Sequence, residues 1–76
     1  MTKKEQLIEY NIQDIIEYIV MDLQIEYDKA MLIFYNSQTF NKLTDVETGL
    51  YRESSAYVYG LFQDERNFGR LIQAEI

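Results

Sequence analysis

The residue types best suited to chemistry near neutral pH are absent: the chain contains no His and no Cys. General acid-base catalysis draws most often on His, and nucleophilic catalysis on Ser or Cys beside a base, so only Ser, Thr, Tyr, Lys and the carboxylates remain. Asp45 and Glu47, two residues apart in a polar connector, have oxygens a hard cation could use. No Asp-rich calcium loop surrounds them, and turn and cap roles account for both. Asp64-Glu65-Arg66 could hold a carboxylate pair or a phosphate, but on an exposed helix face the same triplet is simply solvated charge. Arg52, Arg66 and Arg70 sit among aromatics and have the donors to clamp a phosphate or a partner carboxylate, while pairing with Glu53, Asp64 and Glu65 accounts for them equally well. Gly49, Gly60 and Gly69 have neither the spacing nor the strand-to-helix setting of a phosphate-binding loop. The expectation is a protein that is not an enzyme and carries no catalytic residues, no cofactor and no metal.

Seventy-six residues make one domain, 1–76, because a chain this short buries roughly 60–65% of its unfolded surface and cannot divide that core. Small domains commonly add disulfides, metals or a partner chain; without Cys or His, a partner chain remains. The formal charge of −6 argues against binding phosphate backbones, whose affinity depends on Lys and Arg displacing counterions. It favours a basic protein partner. Residues 1–28 carry the acids Glu5, Glu9, Asp14, Glu17, Asp22, Glu26 and Asp28 against Lys3 and Lys4, so the acidity is concentrated at the first helix. Lys3 and Lys4 are followed by acids rather than by an apolar region, and the longest apolar run, 30–35, is far too short to span a membrane. The expectation is a cytoplasmic protein that binds neither membrane nor nucleic acid.

The elements that would position these side chains read as helices. Thr2-Lys3-Lys4-Glu5 has capping-box spacing. From it Ile8, Ile12, Ile15, Ile16, Ile19 and Leu23 fall on one helical face, with Val20 at its margin, and form the core stripe of a helix over 3–25. A break or kink falls near 26–28, where Asp28 is a good N-cap, although Tyr27, Ala30 and Phe34 would also extend the stripe through one unbroken helix. Ala30, Ile33 and Phe34 face inward in a helix over 28–35 that Asn36-Ser37 ends. The stretch 34–59 is the hub, dense in turn formers and in apolar residues: Phe34, Tyr35, Phe40, Leu43, Leu50, Tyr51, Tyr57 and Val58. Ser37 or Thr39 caps a short helix over 38–43, and Gly49 takes positive φ in the connector. A short helix, turn and short helix superficially looks like a DNA-reading motif, but Lys42 and Asn41 alone make a poor recognition surface.

Ser54 or Ser55 caps the last helix, 55–72, with Tyr57, Val58, Leu61, Phe68 and Ile72 on its inner face, Tyr59 and Phe62 on a flank, and the whole packed on the first helix. Gly60 lowers helix propensity by about 1 kcal/mol relative to Ala, which suggests a close helix crossing there; Gly69 frays the end. The fold class is therefore all-α: a small helical bundle of three main helices plus one short helix.

The first helix carries a second set of apolar residues, Leu7, Tyr10, Tyr18, Met21 and Ile25. At about 100° per residue it lies roughly 150° from the core stripe. Two readings stay open: tyrosines tolerant of half exposure with apolar residues near the helix ends, or a contact surface for another chain. In the second reading Leu7, Tyr10, Asp14, Glu17, Tyr18, Met21 and Ile25 bind the partner, the tyrosines as anchors and Asp14 and Glu17 orienting the encounter.

The run FYNSQTFNKLTDVETGLYRESSAYVY (34–59), with IIEYIVMDL (15–23), resembles a family of short, acidic, uncharacterised bacterial proteins. Its most distinctive pieces are Ser37-x-Thr39-Phe40, Glu47-Thr48-Gly49-Leu50-Tyr51 and Ser55-x-Tyr57-x-Tyr59. Genes of that kind tend to lie beside small partner genes, including toxins that look like ADP-ribosyltransferases, so the resemblance implies an antitoxin or accessory role. The expectation is a non-catalytic, acidic protein-interaction module that neutralises a basic toxin or a nucleic-acid enzyme; the alternative is a self-associating homodimeric structural or accessory protein, and a small enzyme comes last.

Overall fold

The computed structural model describes residues 2–69. Helix α1, Lys3–Leu23, opens with the full capping box: the Thr2 amide donates to Glu5 Oε1 at 2.8 Å and the Glu5 amide to Thr2 Oγ1 at 3.1 Å. Hydrogen bonds from the Thr2 backbone and hydroxyl hold the Glu5 carboxyl below its ordinary pKa. The chain does break, but earlier than its sequence implies. Gln24 leaves the helix in the left-handed region at φ 53°, and Glu26, not Asp28, occupies the N-cap of α2, Tyr27–Tyr35, without a side-chain cap bond. Asp28 lies in the first turn of α2, where a carboxylate favours the positive end of the helix dipole. The reversal brings Ala30 and Phe34, both fully buried, back against the α1 stripe.

Ser37 both ends α2 and starts the next helix. Its hydroxyl donates to the Phe34 carbonyl at 2.6 Å and accepts from the Phe40 amide at 3.0 Å, capping α3, Gln38–Thr44. Of the two candidate caps Ser37 is therefore the one used, and Thr39 is fully buried inside the helix. The connector consists of two single 3-10 turns, Val46–Thr48 and Leu50–Arg52. Asp45 caps the first by accepting from the Glu47 amide, and Gly49 joins them at φ 72°. The Arg52 guanidinium lies directly over the position a Cβ on Gly49 would occupy. Ser54 caps α4, Ser55–Phe68, accepting from the Tyr57 amide at 3.1 Å. Gly69 ends it at φ 75°, its amide donating to the Glu65 carbonyl. The expected continuation to Ile72, and Arg70 with it, lie outside the described residues.

The described residues thus form an all-α globule of four helices and two 3-10 turns, without a strand. The core takes Ile8, Ile12, Ile15, Ile16 and Ile19 from α1, Ala30 and Phe34 from α2, Leu43 from α3, Leu50 and Tyr51 from the connector, and Val58, Leu61 and Phe62 from α4. At its centre the Phe34 ring meets Phe40 and Phe62 edge-on, each at 5.6 Å between centroids. Three expectations about the core are corrected. Leu23 is 41% exposed because α1 ends there, and Tyr57 and Phe68 are 43% and 62% exposed. Helix α4 is rolled so that Val58, Phe62 and Glu65 face inward, Phe62 to reach Phe34 and Glu65 to reach α3. Gly60 marks no internal crossing, since an added Cβ would meet nothing within 4 Å. None of the helices in the described residues is long and apolar enough to cross a membrane.

Candidate functional site

Most side chains with chemical potential are engaged in holding the fold. Glu65 accepts from the Gln38 amide at 2.8 Å, the Thr39 amide at 2.9 Å and the Thr39 hydroxyl at 2.8 Å, so it caps the N-terminus of α3 from across the core. It is not the solvated charge its triplet implies. Arg66 lies over the Phe62 ring and Arg52 over the Tyr51 ring. Asp45 serves as a cap, and no group of three or more acids among the described residues is placed to hold a metal ion.

The seam between α1 and α4 is built differently. Just before α4, where α1 passes the second 3-10 turn, Asn11 is buried and donates from Nδ2 to the Tyr51 and Leu7 carbonyls, each at 3.2 Å, while its Oδ1 is enclosed without a hydrogen-bond partner. One turn on, the Ser55 hydroxyl donates to Asp14 Oδ2 at 2.8 Å. Further along, the Tyr59 hydroxyl donates to Asp22 Oδ2 at 2.6 Å. Desolvation of the Tyr59 phenol, followed by its hydrogen bond to Asp22 and that carboxylate's charge, pushes its pKa up to about 12. The phenol is therefore a firm proton donor near neutral pH, and it fixes the Asp22 carboxylate in place.

Between these ties the seam is open. Tyr18, Met21, Asp22, Ala56 and Tyr59 line a hollow of about 410 Å³, with Tyr18 and Tyr59 tilted against each other at 5.2 Å between centroids. A second hollow, of about 130 Å³, runs on past Leu23, Phe62, Gln63, Arg66 and Asn67 and shares Asp22 and Tyr59 as its near wall. The two hollows follow one another along α4 on either side of the Tyr59–Asp22 tie and form a shallow groove that this tie crosses.

Of the residues expected to meet a partner, Tyr18 and Met21 line this groove, while Leu7, Tyr10, Asp14 and Glu17 lie on α1 outside its lining. Met21 is 74% and Tyr10 62% exposed, and Leu7, Asp14 and Glu17 are also at the surface. Tyr18 is half-buried because Tyr59 covers one side of its ring. Ile25 departs from the expected strip: it lies beyond the end of α1, and its side chain packs against the core. Sequence reasoning missed the α4 half of the groove, Ala56 and Tyr59, together with Asp22; Gly60 lies on the same helical face as the lining residues Ala56, Gln63 and Asn67. The available signal was Gly60, a helix-weakening residue in mid-helix for which an internal reason was assumed. No family model, curated protein or solved structure matches this chain.

Proposed function

We propose that this chain is a non-catalytic interaction module that binds a basic protein over the α1 edge and the α1–α4 groove. The observation that carries the reading is the exposure of Tyr10 and Met21 beside the acids Asp14, Glu17 and Asp22. An adaptable apolar anchor ringed by one sign of charge suits a partner of the opposite sign. The resemblance of 34–59 to short acidic bacterial proteins supports an antitoxin role, in which the basic partner is a toxin this protein neutralises; a nucleic-acid enzyme is the other basic partner the acidity of α1 suits. A homodimer over the same surface is the alternative, and the net charge of −6 on each copy weighs against it.

The test pairs Tyr10→Ala with Met21→Ala, two exposed positions whose loss leaves the core intact. Affinity purification from the native cell should recover a basic protein with the wild type and lose it with the double variant, while circular dichroism and melting temperature stay unchanged. Equal recovery by the variant, or a wild type that light scattering finds dimeric and without a basic partner, sinks the proposal.

A further inference from the structure

Resting on that reading, the geometry points to a specific occupant: a basic amphipathic α-helix lying in the α1–α4 groove, its backbone crossing over Gly60 and one Lys or Arg reaching the Asp22 carboxylate.

Shape comes first. The two hollows run beside α4 from Ala56 to Asn67, a length of roughly 16 Å at 1.5 Å per residue, which accommodates about three turns of another helix. The lining is apolar along one stretch (Tyr18, Met21, Ala56, Tyr59), as helix-in-groove recognition requires.

Gly60 is the second argument. A Cβ there would meet nothing, so no packing within the protein needs a glycine at a position where it weakens the helix. Ala56 precedes it by one turn and is exposed. Together they leave the outer face of α4 low enough for another backbone to approach closely.

Charge selects the partner. Asp14, Glu17 and Asp22 flank the groove on its α1 side, and the Tyr59 hydroxyl orients Asp22 through Oδ2, leaving Oδ1 to accept from a cation. Arg66 lies over Phe62 in the second hollow, close enough for its charge to act on Tyr59, so the open side of Asp22 is the one toward Tyr18 and Met21. A second copy of this chain would set its own acidic α1 against these carboxylates, so a basic helix is the better complement.

The probe is a helix-forming peptide of roughly 14 residues, enough to cover the groove at 1.5 Å per residue, with a Leu/Ala ridge flanked by Lys and Arg; its scrambled isomer is the control. Titrated onto isotope-labelled protein, it should shift the resonances of Tyr18, Met21, Asp22, Ala56, Tyr59 and Gly60, gain helical dichroism, and bind at least about tenfold more tightly than the scrambled peptide. Gly60→Leu should weaken binding about tenfold or more with the melting curve preserved, and Asp22→Asn should reduce the salt dependence. Were Gly60→Leu to lose the fold, Ala56→Arg provides the same block from an exposed position. Wild-type affinity in a folded blocking variant overturns the inference. Equal binding of both peptides also overturns it while leaving a basic partner in place. Binding of neither peptide by a chain that sediments as a dimer removes both readings.

Discussion

Helix α4 meets the rest of the protein along two seams that are finished in opposite ways. Toward α3, Phe34, Phe40 and Phe62 interlock, and the Glu65 carboxylate takes up two amides and a hydroxyl at the start of that helix. Toward α1, the polar ties Ser55–Asp14 and Tyr59–Asp22 sit at the surface, with open space between them. An unmatched polar group in a core keeps its full desolvation cost, so such groups are matched with few exceptions, Asn11 Oδ1 being one here. The α3 seam therefore has little tolerance and carries stability. On the α1 seam the carboxylates still face solvent, so a partner can use them without dismantling the fold.

The largest loss of stability is expected at the ring cluster. Phe34→Ala should cost about 3–5 kcal/mol, the range for emptying a large aromatic site, and leave so small a domain largely unfolded in a urea titration. A loss below about 1 kcal/mol would mean that the α3 side is not where stability resides.

Glu65→Ala comes next, at about 1.5–3 kcal/mol, the scale of hydrogen bonds to a charged group. Glu65→Gln should fall between wild type and alanine, because the amide keeps one acceptor oxygen for the α3 amides. If Glu65→Ala stays within about 0.5 kcal/mol of wild type, like an ordinary surface change, the contrast between the two seams disappears.

Tyr59→Phe should cost less, about 0.5–1.5 kcal/mol for one hydrogen bond near the surface. It also tests the alkaline limb. The Tyr59 pKa is raised by folding, so its contribution is fully present below the ordinary value of 10.0 and is lost as pH climbs through about 12. Wild-type stability should fall across that window more steeply than that of Tyr59→Phe, measured by denaturant titration at each pH. Parallel curves would show that folding does not raise the Tyr59 pKa, by burial or through Asp22.

The smallest effect has the opposite sign. Gly60→Ala should stabilise the protein by up to about 1 kcal/mol through helix propensity, because nothing lies near the added methyl group. A destabilised variant would place an unseen contact at that face. A gain in melting temperature would confirm that the glycine serves nothing inside the protein.

Local rules and strong periodicity account for the part of this fold that is legible in the residues. The Thr2–Glu5 capping box, the Ile8-to-Ile19 stripe and the positive φ at Gly49 each follow from a few adjacent residues or from one helical period, and each is present in the structure, whereas the residues alone leave open both an unbroken first helix and the choice between Ser37 and Thr39 as cap. Only the tertiary structure decided how α4 is rolled. Tyr57, Tyr59, Phe62 and Phe68 place apolar rings on several sides of a 14-residue helix, so no single period points inward. The choice falls to partners distant in sequence: Phe34, which takes Phe62, and the start of α3, which takes Glu65. That roll exposes Tyr57 and Phe68, sets Tyr59 beside Tyr18 and leaves Gly60 facing outward. The groove exists because two helices meet at one particular rotation, and rotation is set by the packing of the whole core, not by any stretch read alone.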